Sequence, residues 1–223
     1  MSFRRLSAWS GIVFVVLALV ANFSVGESPP GLSDSAEEVS QYFADNQDRI
    51  WFAEFVGALA IPFGLLFFVG LWFRLREGEL QRGEPWSVAG LIAFGAAIGV
   101  VGAAHAAYGA AVMRGNETTG AEQVLSDIAM SAYAFSIVLL GLVLVTFGTA
   151  LGRARLTPPW LTLLAYAGAL LAVVGTASSG TTEDSLGFIG FIGFLVFSLW
   201  ALIVSILLIR QETAPTAAAT PTV

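Results

Sequence analysis

The chain has 223 residues, of which 57% are apolar and 12% charged, and its formal net charge is −6. The charged share is about half of that usual in globular proteins, so the composition favours a chain whose main solvent is lipid. Cysteine and lysine are absent, which excludes disulfides, thiolate catalysis, cysteine-bound metals and a Schiff base on lysine. The negative charge argues against nucleic acid as a partner.

Six apolar stretches are long enough to cross a bilayer, which takes about 20 helical residues. They are predicted at residues 9–25, 50–73, 86–113, 128–151, 160–177 and 186–209. The sequence therefore predicts an all-α, polytopic membrane protein with six transmembrane helices in one domain, residues 1–210. Residues 211–223 lack apolar periodicity and are predicted to form a disordered cytoplasmic tail.

Arginine is distributed unequally between the two sets of loops. Eight of the ten arginines flank the spans on the side that holds both termini, and only Arg49 and Arg114 lie on the other side. Because positively charged loops are retained in the cytoplasm, both termini are predicted to be cytoplasmic. The first stretch, which follows Arg4 and Arg5, also has features of a signal peptide, although it is long for one and no Ala-x-Ala site closes it.

The outward loops are acidic and contain one predicted short amphipathic helix. Their carboxylates form either an ordinary solvated surface or a field that attracts cations or a basic partner. Ser35 and Glu38 have the spacing of a capping box. A mostly apolar stripe then follows at helical spacing: Val39, Phe43, Asn46 and Ile50. This stripe suits a helix on the outer membrane surface, and the helix can also run on into the second span.

Small residues recur every three or four positions in the second, third and fifth spans. Such stripes let helix backbones approach closely in lipid. The predicted helix-packing residues are Gly57, Gly64, Gly95, Gly99, Gly102, Gly109, Gly168 and Gly175.

Two ionisable side chains lie clearly inside the predicted spans, Glu54 and the only histidine, His105. Each is costly in lipid and is therefore a candidate for function. The second and third spans should pack antiparallel, so the two side chains can meet in the outer third of the bundle. The candidate polar site comprises Glu54, His105, Tyr108, Asp127 and Tyr133. Either His105 bonds Glu54 or a carbonyl and fixes helix register, or the group lines an outward-open pocket for a proton, cation or small ligand.

No catalytic motif and no metal site is recognised. A single histidine excludes metalloproteases of the two-histidine pattern and bis-histidine haem, and there is no phosphate-binding glycine loop with lysine or Gly-x-Ser-x-Gly elbow. The sequence therefore predicts no cofactor and no enzyme activity, although a membrane-embedded enzyme remains a third reading.

The Arg-Arg start, the first outer loop SAEEVSQYFADNQDRI and the glycine-rich, lysine-free spans resemble uncharacterised multi-span membrane proteins of GC-rich bacteria. That resemblance implies a multi-pass protein of the bacterial cytoplasmic membrane and assigns no activity. The expected function is a non-enzymatic membrane protein that binds a lipid, small ligand or partner protein through its outer face and helix bundle. The alternative is a small transporter or channel that uses the region around Glu54 and His105. The expected partners are the lipid bilayer and either a second copy of the chain or another membrane protein.

Overall fold

A computed structural model describes residues 2–26, 34–114, 120–178 and 184–213. These ranges form seven helices and no strand. The helices are α1 (Phe3–Ser24), α2 (Ala36–Asp45), α3 (Gln47–Arg82), α4 (Trp86–Arg114), α5 (Ala121–Arg153), α6 (Pro159–Ser178) and α7 (Asp184–Thr213). All except α2 are long and apolar enough to cross a membrane, which confirms the predicted fold class.

Several helices extend beyond the predicted spans. With 36 residues, α3 is about 54 Å long, so it must project past a hydrocarbon core of about 30 Å. Its last turns carry charged residues up to Arg82, and Gly83 ends it in the left-handed conformation, with φ of 68°. The predicted tail is also shortened, because residues 211–213 belong to α7 and residues 214–223 lie outside the described residues.

The six long helices form a closed ring, in which each contacts the next in the order α1, α3, α4, α5, α6, α7 and back to α1. We call the end that holds the start of α1 and the end of α7 the arginine end, and the opposite end the α2 end. An aromatic cluster fills the inside of the ring. Phe68 of α3 is its centre, with the rings of Phe94, Phe147 and Phe197 at centroid distances of 4.1, 5.2 and 6.2 Å.

Helix α2 packs at one end of the ring on α3, α4 and α5, and it starts where the sequence predicts. Ser35 and Glu38 form both bonds of a capping box. Asn46 then separates α2 from α3, because its side-chain amide and its backbone N–H both donate to the Tyr42 carbonyl, at 3.2 and 3.1 Å. A side chain that bonds the local backbone in this way competes with helix continuation. The reading in which α2 runs on into the second span is therefore wrong.

The apolar stripe of α2 is buried against protein rather than resting on lipid. Val39 and Phe43 are 2% and 0% exposed. They pack in a second apolar cluster with Ile50, Ala104 and Tyr108. The expectation of a helix on the membrane surface is corrected, because α2 packs on α3, α4 and α5.

Four of the predicted packing glycines make close contacts between helices. An added Cβ on Gly64 would lie 2.8 Å from the Phe94 ring, and on Gly168 it would lie 2.7 Å from Val196. On Gly175 it would collide with the backbone of Gly190, so α6 and α7 cross there with no room for a side chain. Gly57 is described with the site below.

The third-span stripe is a different case. Gly95, Gly99 and Gly102 are exposed, and a Cβ on any of them would meet nothing within 4 Å. Gly109 is buried, but a Cβ there would make only an ordinary contact with Trp51 at 3.8 Å. The prediction that Gly95, Gly99 and Gly102 pack against another helix of the same chain is therefore wrong. A different face of α4, which includes Ala93, packs in the interior.

Candidate functional site

Three helices bring together the polar side chains of the candidate site. Glu54 lies on α3, His105 on α4 and Tyr133 on α5. His105 Nδ1 forms a hydrogen bond with Glu54 Oε2. The Tyr133 hydroxyl donates to Glu54 Oε1 over 3.4 Å and lies 3.3 Å from His105 Nδ1. The pairing of His105 with Glu54 is confirmed, and Tyr133 adds a third helix to the Glu54–His105–Tyr133 cluster.

Gly57 makes room for the imidazole. A Cβ on Gly57 would lie 3.0 Å from His105 Cε1 and 3.3 Å from His105 Nε2. It would also lie 3.8 Å from the Cβ of Ala21, so α1 reaches the same place. A bulkier residue than glycine here would displace the histidine. The glycine one turn from Glu54 therefore lets a ring on α4 reach a carboxylate on α3.

Tyr108 links the cluster to α2. Its ring lies 5.0 Å from Phe43 and 6.5 Å from Tyr133 between centroids, in edge-to-face geometry. Its hydroxyl also has a hydrogen-bonding neighbour on α2, Tyr42. Helix α2 is thus fastened over the cluster by aromatic packing and a polar contact.

The cluster is only partly closed. The side chains of His105 and Glu54 are 22% and 13% exposed. With Glu54 ionised, His105 Nδ1–H donates to the carboxylate, and a neutral ring then presents a lone pair at Nε2. Nε2 has no hydrogen-bond partner among the described residues. Protonation would turn Nε2 into a donor while Glu54 balances the charge. The arrangement can therefore accept one proton or one hydrogen bond from outside.

The remaining predicted site residue, Asp127, stands apart from this arrangement. In the described part of the chain it has no hydrogen bond or ion pair with Glu54, His105 or Tyr133. Among the same residues no three histidine or carboxylate side chains are grouped closely enough to hold a metal ion.

Two buried carboxylates lie outside the sequence-based site. Glu79 is 3% exposed and accepts hydrogen bonds from the Ser87 amide at 2.9 and 3.2 Å and from the Ser87 hydroxyl. It therefore caps the start of α4. Glu122 belongs to a segment that was assigned from the sequence to the acidic outward loops, but it lies in the first turn of α5. It is 1% exposed, and its Oε1 has no partner among the described residues. Both lie close to a helix end, outside the apolar stretches of the sequence, so the local sequence gives no signal of their burial.

Two cavities lie elsewhere in the described residues. One is a small apolar gap between α5, α6 and α7 that is lined by Gly141, Ala172 and Phe197. The other is a cleft at the arginine end. Neither is lined by Glu54 or His105, so neither is the outward-open pocket that the functional reading of the cluster predicts.

The six long apolar helices define a multi-pass helical membrane protein. The chain belongs to the family described as Protein of unknown function (DUF998), whose model matches residues 10–207. No curated protein and no solved structure matches the chain. The family match runs from α1 into α7, so all six long helices belong to the unit that the family shares.

Proposed function

We propose that this chain is a non-enzymatic membrane protein that binds a lipid or other small ligand at its α2 end, with His105 as the contact. The main support for the proposal is that the two imidazole nitrogens of His105 differ in their hydrogen bonding. Nδ1 is held by Glu54 and Tyr133, while Nε2 has no partner in the described residues and the side chain is 22% exposed. Nε2 is therefore an available acceptor in a partly exposed side chain, and a ligand that donates a hydrogen bond to it would gain affinity there.

We further propose that the membrane is a bacterial cytoplasmic membrane and that the arginine end faces the cytoplasm. The support is the excess of arginine at that end. The absence of native cysteine makes labelling unambiguous. An impermeant thiol reagent should label Glu37→Cys and leave Gln81→Cys unlabelled on intact cells. The reverse pattern would overturn the orientation.

The test of ligand binding uses the fact that the chain has one histidine. Diethyl pyrocarbonate modifies an accessible imidazole nitrogen, and the modified peptide is counted by mass spectrometry. Protein without a polyhistidine tag is compared in membranes of the producing cells and in nanodiscs of pure phosphatidylcholine. We expect slower modification in the native membrane, and we expect the total lipid extract of those cells to restore protection to the nanodisc sample.

Two variants make the result specific. Glu54→Gln should abolish the difference, because the imidazole loses the carboxylate that orients it. Thr176→Val is the matched control, because within the described ranges the Thr176 hydroxyl bonds only the backbone carbonyls of Ala134 and Ala172, each at 2.9 Å. Equal reactivity of His105 in both membranes, or equal protection in wild type and Glu54→Gln, would contradict the proposal and leave the cluster with a packing role.

A further inference from the structure

A cleft of about 300 Å³ opens at the arginine end, at the opposite end of the bundle from the Glu54–His105–Tyr133 cluster. Four segments that are distant in sequence meet there. Its lining residues are Arg4 of α1, Arg74 of α3, Leu156 between α5 and α6, and Gln211 and Glu212 of α7. The volume is at the lower end of the range for small-molecule sites.

The residues that line the cleft have a net positive charge. Arg74 donates to Glu212 Oε1 at 2.6 Å and to the Arg4 backbone carbonyl at 2.7 Å. The guanidinium group of Arg4 has no hydrogen-bond or ion-pair partner among the described residues. Two cations and one carboxylate therefore leave the lining with a formal charge of +1.

Arg74 also retains an unused donor. Its side chain is only 10% exposed, and its Nε is buried with no hydrogen-bond partner in the part of the chain that the structure describes. Because Arg74 lines the cleft, charge-assisted hydrogen bonds to an anion there would offset the cost of burying its incompletely paired guanidinium group. The start of α1 adds to the attraction, since its first turn has no acidic residue and the N-terminal end of a helix favours negative charge.

The neighbouring aromatic residues place the cleft at the surface of the bilayer. Phe3 and Phe73 directly precede Arg4 and Arg74 in the chain, and their rings pack edge to face at 5.7 Å. Both remain exposed, at 42% and 40%. Exposed apolar rings beside arginines, at the ends of two spans, are expected where hydrocarbon meets the headgroups, because the rings favour hydrocarbon and the guanidinium groups favour anionic headgroups. An anion that reaches the cleft from this side would come from a lipid.

We propose that this cleft binds the phosphate of an anionic phospholipid headgroup, held by Arg4 and Arg74. Glu212 orients Arg74 and offsets one of the two positive charges. The remaining charge of +1 matches a ligand group with a single negative charge. Leu156, on the connection between α5 and α6, supplies an apolar contact in the lining. Lipid would thereby join α1, α3 and α7 at the end where the chain begins and ends.

The experiment measures retention of phosphatidylglycerol by the full chain in nanodiscs of phosphatidylcholine that contain a minor share of phosphatidylglycerol. Native mass spectrometry after release from the nanodisc gives the bound lipid per protein. Arg4→Gln should retain phosphatidylglycerol roughly five-fold less strongly, which corresponds to the usual worth of one basic residue at a membrane surface. Arg5→Gln is the matched control, because Arg5 is the exposed neighbour that does not line the cleft.

A second variant acts in the opposite direction and preserves an acceptor for Arg74. Glu212→Gln removes the competing negative charge and should retain phosphatidylglycerol more strongly than wild type. Thermal unfolding in pure phosphatidylcholine checks that each variant is folded, and the response of Glu212→Gln decides the question if Arg4→Gln does not fold. Equal losses in Arg4→Gln and Arg5→Gln, or no gain in Glu212→Gln, would mean that only general surface charge attracts the lipid and would overturn the proposal.

A separate measurement distinguishes a lipid phosphate from a soluble one. Inorganic phosphate at millimolar concentration is added to the protein in pure phosphatidylcholine. We expect no change in its melting temperature and no displacement of phosphatidylglycerol in the mixed nanodiscs. Stabilisation by inorganic phosphate that disappears in Arg4→Gln would assign the cleft to a soluble anion and overturn the lipid assignment.

Discussion

The crossing of α6 and α7 at Gly175 gives the most direct test of the packing. An alanine Cβ at this position would overlap the backbone nitrogen and Cα of Gly190 and would lie 3.0 Å from the carbonyl carbon of Ile189. Backbone cannot rotate away as a flexible side chain can, so the two helices must separate by on the order of 1 Å. We expect Gly175→Ala to cost about 1–3 kcal/mol of unfolding free energy, the usual cost of overpacking.

Two further glycines give a graded series. An alanine Cβ at Gly193 would lie 3.0 Å from the Ala172 nitrogen and 3.2 Å from its Cα, which is tight without overlap. Gly193→Ala should therefore lose less stability than Gly175→Ala. Gly102→Ala meets nothing within 4 Å and should be neutral or stabilising, because alanine favours helix over glycine by about 0.5–1 kcal/mol.

The assay is unfolding by sodium dodecyl sulfate in mixed micelles, followed by far-ultraviolet circular dichroism. The expected order of stability is Gly102→Ala, then Gly193→Ala, then Gly175→Ala. A Gly175→Ala protein as stable as Gly102→Ala would refute the crossing geometry of α6 and α7. Strong destabilisation by Gly102→Ala would instead show that the third-span stripe is a packing surface after all.

Further predictions concern single polar groups. Glu54→Gln and His105→Ala should each cost about 1–3 kcal/mol, and the double variant should lose less than their sum, whereas strict additivity in the cycle would deny their contact. Glu79→Ala should cost about 0.5–2 kcal/mol as a lost helix cap, while Glu77→Ala, at an exposed position, should cost little; equal losses in the same unfolding assay would contradict the cap. Hydrogen bonding from Arg82 holds the pKa of Glu84 below its ordinary value of 4.5. The stability that Glu84 supplies is therefore complete above pH 4.5 and lost as the pH falls through the lowered folded-state pKa, so Glu84→Gln should show a smaller acid-induced fall in melting temperature than wild type.

The sequence alone determined the six long helices, because a segment in lipid must satisfy its own backbone and remain apolar over the bilayer thickness. It also determined the start of α2, since the Ser35–Glu38 capping box is a contact between residues three apart. The pairing of Glu54 with His105 was predictable for a related reason. Ionisable side chains within a membrane usually pair with one another. Glu54 and His105 lie on consecutive spans, which usually pack side by side, so each is an expected partner for the other.

Only the tertiary structure decided which surfaces meet. Helical spacing shows that Gly95, Gly99 and Gly102 share a face, but it carries no information about whether that face meets protein or lipid. The same limit applies to Glu79, because its burial depends on the turn at Gly83 that brings the start of α4 back over it. The cleft at the arginine end is the clearest case. Arg4, Arg74 and Glu212 are separated by most of the chain, and only closure of the ring between α1 and α7 brings their charges together.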